Sequence, residues 1–301
     1  MPYRPFRAVV DDVARLSPSF IRVTFGGAEL AGFGPAGLAF DQRIKLIFPT
    51  SAGELPDLPA DGNWYEHWRT LPEHDRGVMR TYSIRDVERD ARGTRLSVDF
   101  VLHLGTDGAD SSGPAATWAH GARSGDELVV IGPDRDEDSG SGIEFSPGAT
   151  REFRLFGDET AAPAIARILG DLPAGSVGEA AIEVPTAEDV LPLTAPAGVR
   201  VRWLPRDGAA HGSLLATAAG VVTQTPAEPD DAPLLWETPL YSSSGERLDA
   251  APGRDGDVYY WIAGESGMVT GMRRGLVKTH GIPRSRVSFM GYWKRGVAMR
   301  G

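Results

Sequence analysis

The run Arg80-Thr81-Tyr82-Ser83-Ile84-Arg85 sets a forked cation, a phenol ring and two hydroxyls within six residues. In an extended chain alternate side chains share a face, so Arg80 and Tyr82 lie on one side, within reach of a single bound molecule. The planar guanidinium of Arg80 matches a pyrophosphate, the ring of Tyr82 can lie against an isoalloxazine, and Ser83 can hydrogen-bond its polar edge. These are the contacts that seat a flavin dinucleotide. Taken alone, the same residues also fit an ordinary strand with an exposed arginine and a half-buried tyrosine.

Other segments add to the first. Phe100-Val101-Leu102-His103 ends a strand with an imidazole, and Gly113-Pro114-Ala115-Ala116-Thr117-Trp118-Ala119 opens a short helix. Such a helix start aims free backbone amides at an anion, Pro114 suits its first turn, and Thr117 adds a hydroxyl. Singly, His103 reads as a strand-end histidine and Trp118 as a core aromatic. Farther along, Gly157-Asp158-Glu159-Thr160 joins a strand to a helix that Ala161, Ala162 and Pro163 let begin tightly, although Thr160 also reads as a simple helix cap. The GxGxxG pattern of the ordinary dinucleotide fold is absent, so a tightly held nicotinamide nucleotide of that type is not expected. Trp261 to Met268 repeats the strand, small-residue and carboxylate arrangement with Glu265 and Ser266, where a helix dipole could meet a nucleotide phosphate. Arg206 is a candidate for a 2′-phosphate, or simply a surface arginine. Gly291-Tyr292-Trp293-Lys294-Arg295-Gly296 joins aromatic and cationic groups after the last strand, as a packed anchor or as a lid with cations facing an anionic substrate.

The elements that must position these residues fall into two kinds. Phe20–Phe25, Arg43–Phe48, Met79–Val87, Leu96–His103 and Glu127–Ile131 read as short, evenly spaced strands of an antiparallel β-barrel, with a loop carrying Trp64, Tyr65 and Trp68 between the second and third. After Gly132-Pro133 the stretch 134–148 is acidic and Gly/Ser-rich and reads as a linker. Beyond it, strands at Glu152–Phe156, Ala181–Val184, Val199–Leu204, Val258–Ala263 and Arg286–Met290 alternate with helical stretches at Thr160–Leu172, His211–Ala219 and Gly267–Thr279. That order predicts an α/β domain with a parallel sheet covered on both faces. Residues 1–148 are therefore expected to form the barrel domain and 149–301 the α/β domain, with a Pro/Asp/Ser-rich excursion over the surface between Gly220 and Asp257.

Composition narrows the function. The 301 residues are 41% hydrophobic without an apolar run of about 18, which describes a water-soluble globular chain and no membrane span. A formal charge of -10 argues against a nucleic-acid footprint, so an anionic ligand needs a local basic pocket. The first residues lack the apolar core of a secretion signal, which makes cytoplasm the expectation. With no cysteine, redox work cannot use a thiolate-held iron–sulfur cluster. The six histidines show no HExxH or similar spacing, and no structural metal is expected.

In their order along the chain, these segments resemble the siderophore-interacting protein family, ferric-siderophore reductases of the ferredoxin-reductase superfamily. The resemblance runs through Arg80–Arg85, Phe100–His103, Gly113–Ala119, Gly157–Ala164, Trp261–Gly267 and Gly291–Gly296. It implies FAD held by Arg80, Thr81, Tyr82, Ser83, His103, Gly113, Ala115, Thr117 and Trp118, and NADPH or NADH met by Asp158, Glu159, Thr160, Glu265 and Ser266. It also implies a ferric siderophore as substrate, reduced with release of Fe(II) beside basic residues matching Lys45, Lys294 and Arg295. Within the family the donor varies between nicotinamide nucleotides and small electron-transfer proteins such as ferredoxin. Two other readings stay open: a general flavin reductase feeding a separate acceptor, and a non-catalytic siderophore-binding protein. The reductase chemistry is consistent in itself, because a nicotinamide gives two electrons together, Fe(III) accepts one, and the hard oxygen donors of a siderophore hold Fe(II) far less well than Fe(III).

Overall fold

The computed structural model describes residues 3–102, 113–137, 140–222, 234–242, 244, 246–247 and 257–297. The chain divides into two compact units, Met1–Ile143 and Glu144–Arg300. The first contains β1 (Tyr3–Arg15), β2 (Phe20–Gly26), β3 (Arg43–Phe48), α1 (Trp64–Thr70), β4 (Val78–Ser83), β5 (Asp86–Asp90), β6 (Gly93–Val101), α2 (Pro114–Gly121) and β7 (Glu127–Pro133).

All ladders of this unit are antiparallel, in the order β4-β3-β7-β1-β2-β6-β5. The expected single strand Met79–Val87 is two. β4 lies on β3 at one end of the order and β5 on β6 at the other, and Ile84 carries the chain between them. The Ile84 amide donates to the Gln42 carbonyl (2.9 Å) and the Arg85 amide to the Ser97 carbonyl (2.9 Å), so one continuous stretch curls the sheet toward closure. Burying Ile84 completely at this corner holds the bend by apolar packing.

Alternation fills the interior. Ile44, Leu46 and Phe48 of β3, Val23 and Phe25 of β2, Val98 and Phe100 of β6, and Leu128 and Val130 of β7 form one apolar core. The opposite face carries a smaller cluster in which Ile47, Met79, Val129 and Ile131 are covered by Trp64 and Trp68. The segment read as a loop at 64–70 is thus the helix α1. Its two tryptophans stand four residues apart on one face, and that shared burial stabilises a helix too short to persist alone.

The second unit contains β8 (Glu152–Gly157), α3 (Ala162–Asp171), β9 (Val177–Val184), β10 (Gly198–Pro205), α4 (Ser213–Ala218), β11 (Trp236–Glu237), β12 (Val258–Glu265), α5 (Ser266–Arg273) and β13 (Val287–Trp293). Strand order is β10-β9-β8-β12-β13-β11, parallel throughout except for β11, which is antiparallel on its edge. Central strands bury both faces and accordingly read as unbroken apolar runs, such as Trp261-Ile262-Ala263 and Ala180-Ala181-Ile182. In α3, Ile165, Ile168 and Leu169 follow the helical period and are all buried. Part of the 220–257 stretch is not a free excursion: Trp236–Glu237 completes the sheet, and buried Glu237 receives Arg273 and Arg284. Among the described residues no helix is long and apolar enough to cross a membrane.

Candidate functional site

In the first unit the site is built on β4 and α2, which pack together. Register assigns the faces: Arg80 stands opposite Leu46 and Tyr82 opposite Ile44, so both share the interior face, while Thr81 and Ser83 stand opposite Lys45 and Arg43 on the other. Arg80 is half-buried, its Nη1 donates to the Met79 carbonyl (2.8 Å), and among the described residues it pairs with no carboxylate. Burial pulls its pKa down. A partly dehydrated guanidinium without a counter-ion gains from an arriving phosphate. Arg85, by contrast, lies 3.7 Å from Asp99, which also takes a bidentate bond from Arg22 (2.6 and 2.8 Å).

The Tyr82 ring lies 4.6 Å from Phe100, tilted by 51°. Burial pushes its phenol well above the ordinary range, so it stays neutral. Trp118 joins the same aromatic group, 6.2 Å from Phe100 and 5.2 Å from Phe48. It is therefore largely a core residue, as is Ala115, whereas Gly113 and Thr117 are exposed at the start of α2. With Pro114 at its first position, α2 leaves early amides without helical acceptors. Lys45 reaches the Thr81 hydroxyl (3.4 Å), and burial together with Arg43 lowers its pKa. His103 lies outside the described residues. A guanidinium without a carboxylate partner among the described residues, a neutral ring and a helix start with Pro114 at its first position fit the phosphates and ring of a flavin dinucleotide, so Arg80, Tyr82 and the α2 start would hold one.

In the second unit, the residues expected to meet a nicotinamide nucleotide gather at the carboxyl ends of β8 and β12. Asp158 is fully buried. Its Oδ1 accepts from the Thr160 amide (2.9 Å) and hydroxyl (2.5 Å), and its Oδ2 from the Glu265 amide (2.8 Å) and Trp293 Nε1 (3.0 Å). His211 Nε2 stands 3.3 Å from the same oxygen, at ion-pair distance but poorly angled for a hydrogen bond, with its ring edge-on to Trp293. Burial works to raise the Asp158 carboxyl, but His211, Thr160 and Trp293 outweigh it and hold it below the usual carboxylate range. Burial likewise opposes protonation of His211, but Asp158 and Glu159 prevail against it and against Arg206, raising its pKa.

Arg206 is not poised for a 2′-phosphate. It grips Glu159 through Nη1 (2.7 Å) and Nη2 (3.0 Å), and Nη1 also reaches Glu183 (3.3 Å). Glu265 caps α5 by accepting from the Met268 amide (2.8 Å). Ser266 is buried behind it. Lys294, expected to face substrate, is only 8% exposed, while Arg295 is exposed and its amide meets Glu265 (3.4 Å). Asp158, Glu159 and His211 bring ligand atoms within 4.8 Å of one another, but the carboxylate oxygens already serve the donors just named. His211 and Glu183 had no local signal in the sequence, since neither belongs to a motif and both arrive through the sheet.

Two predictions arise here. Gly264 has φ +142°, and a Cβ there would stand 2.6 Å from the Asp158 carboxyl carbon. Gly264→Ala is expected to destabilise the unit by about 3 kcal/mol, from backbone strain and displacement of a buried carboxylate. A urea midpoint within error of the parent would refute this. The second concerns pH. The raised His211 pKa means that its contribution is fully present below the unfolded value of about 6.5 and fades as pH rises through the folded value. The lowered Asp158 pKa means that its contribution is present above about 3.9 and fades as pH falls through the folded value. Stability from the pair is therefore greatest between roughly pH 4 and 6.5 and declines as pH rises from there through the raised His211 value. His211→Gln is expected to flatten the decline on the alkaline side, checked by urea unfolding from pH 5 to 9.

An antiparallel barrel followed by an α/β unit with a nucleotide-type sheet edge defines a ferredoxin-reductase-like architecture. A ferredoxin reductase of carbazole 1,9a-dioxygenase shares this fold, with TM-score 0.56, 16% identity, 97% of this chain and 68% of that one. Residues 9–137 match the Siderophore-interacting FAD-binding domain and residues 150–296 the Siderophore-interacting protein model. The chain belongs to the siderophore-interacting protein family. It is 31% identical to a siderophore utilization protein from T. fusca, covering 99% of this chain and 95% of that one at TM-score 0.71. It is also 29% identical to the ferric vibriobactin reductase ViuB of Vibrio cholerae over 93% of this chain and 86% of that protein.

Proposed function

We propose that this protein is an FAD-dependent reductase of ferric siderophores that acts in the cytoplasm. The observation that carries the reading is Arg80, a partly buried guanidinium that pairs with no carboxylate among the described residues, on the same strand face as a neutral, aromatic-packed Tyr82. Arg80 binds the pyrophosphate of FAD, the early amides and Thr117 of α2 add further donors, and Tyr82 lies along the ring. Thr81 and Ser83, on the opposite face, act at the strand's edge, and Gly113, Ala115 and Trp118 complete the surroundings. Held there, FAD would supply the chemistry of accepting electrons from NADPH, NADH or ferredoxin and passing them singly to Fe(III).

The protein needs no general base for that transfer. Its task toward the substrate is to attract a negatively charged chelate, for which Lys45 in the first unit, and Arg295 with the largely buried Lys294 in the second, are our candidates. Lys45 is partly dehydrated next to Arg43, which favours pairing with an anion. Reduction weakens the hold of hard oxygen donors on the iron, and Fe(II) leaves.

The test is anaerobic stopped-flow mixing of dithionite-reduced, FAD-loaded protein with ferric catecholate and hydroxamate chelates, with a ferrous trap present. Reoxidation of the flavin band with matching Fe(II) capture is expected, slowed in a Lys45→Glu, Arg295→Glu variant. No reoxidation by any chelate would leave a binding protein. Reoxidation indifferent to the charge reversals would favour a general flavin reductase.

A further inference from the structure

The carboxyl edge of a parallel sheet is where helix N-termini ordinarily present amides to ligand phosphates. In this α/β unit several of those amides already have partners from the chain itself, either carboxylates or the Asp158 backbone carbonyl. At α3, the amides of Thr160, Ala161 and Ala162 all go to Asp158, the first to its side chain and the others to its carbonyl (3.0 and 3.1 Å), and Pro163 has none to offer. At α4, the fully buried Glu183 accepts from the amides of Gly212 (2.6 Å), Leu214 (3.2 Å) and Leu215 (3.3 Å). At α5, Glu265 takes the Met268 amide, and its own amide goes to Asp158. Arg206 is held by Glu159 and Glu183.

We infer that Asp158, Glu183 and Glu265 occupy the places a dinucleotide's phosphates would take, so that this protein accepts electrons from a reduced nicotinamide without recognising its adenosine half. The inference rests on the reductase reading for its kinetic consequence but not for its binding consequence. A phosphate arriving at α3 or α4 must displace a fully buried carboxylate, and at α5 the half-buried Glu265, and face their neighbours, which like-charge repulsion opposes. A 2′-phosphate meets the same barrier, because freeing Arg206 would leave Glu159 buried and unpaired. Donors are then distinguished by their redox-active end alone, and reduced nicotinamide mononucleotide is as competent as either dinucleotide.

Two measurements on the FAD-loaded protein decide it. In the first, NADPH, NADH and reduced nicotinamide mononucleotide are mixed anaerobically with it and flavin bleaching is followed. The expected result is rates within about tenfold of one another and linear in donor up to about 1 mM. A larger advantage for either dinucleotide, or saturation below about 0.1 mM, overturns the inference. In the second, ADP-ribose is titrated calorimetrically into the oxidised protein and into a Glu265→Gln variant, which keeps an acceptor for Met268. The parent is expected to bind more weakly than about 1 mM and the variant about tenfold more tightly. Parent binding below about 0.1 mM, or a variant no tighter than the parent, overturns it. Failure of dithionite-reduced protein to reduce any ferric chelate would remove the reductase reading and leave the calorimetric result standing.

Discussion

Asp158→Ala is expected to destabilise the α/β unit by about 3–5 kcal/mol, the cost of breaking a buried charge pair and leaving its partners without an acceptor. The magnitude follows from the number of donors that converge. The Thr160 amide and hydroxyl, the Glu265 amide and Trp293 Nε1 all lose their oxygen, and His211 loses its counter-charge. These groups sit on the β8–α3 loop, the β12–α5 junction, the end of β13 and the approach to α4, so one substitution loosens four segments. Asp158→Asn recovers only part of the loss. It keeps one acceptor oxygen for Thr160 but sets an amino group against the Glu265 and Trp293 donors. Urea unfolding followed by circular dichroism measures the loss, and hydrogen exchange across 264–268 and 293–297 shows where it falls. A loss under about 1 kcal/mol for the alanine variant would mean that water replaces the carboxylate at little cost.

The second large effect is expected at Arg80. Arg80→Glu replaces a cation opposite the pyrophosphate by an anion and is expected to weaken FAD binding by at least about 100-fold, or roughly 3 kcal/mol. Arg80→Lys keeps the charge, loses the planar fork, and is expected to weaken it about tenfold. Because the side chain bonds only the neighbouring Met79 carbonyl among the described residues, the barrel itself is expected to fold as before. Equilibrium dialysis with flavin absorbance gives the affinities, and circular dichroism checks the fold. Affinity within threefold of the parent in the reversed variant would place the pyrophosphate elsewhere.

The two halves of the fold differ in how openly the sequence declares them. Strands of strict alternation, such as Arg43–Phe48 and Phe20–Phe25, are readable because one face must be apolar to fill the barrel. β1 is not, since the register of its pairing with β2 shifts between Val10 and Asp12, and a shifted residue breaks the period that marks a strand. The corner at Ile84 escaped for the opposite reason: an unbroken alternation from Met79 to Val87 hides a change of partner from β3 to β6. Helix α1 lies in a Pro/Gly/Asp-rich stretch, and the Trp64 and Trp68 that justify it gain their stability only from the strands they cover.

The candidate sites divide along the same line. The sequence by itself determined the pairing of Arg80 with Tyr82, because side-chain alternation in a strand is local geometry and needs no partner. It also determined the barrel-then-α/β order, which hydrophobic period carries, and the motifs that place the chain among siderophore-interacting proteins. Only the tertiary structure decided that Asp158 collects donors from four segments, that Arg206 serves Glu159 and Glu183, and that Glu183 accepts from amides at the start of α4. Parallel strands bring together residues far apart in the chain, and whether a helix amide waits for a ligand or already holds a carboxylate depends on the register of those strands.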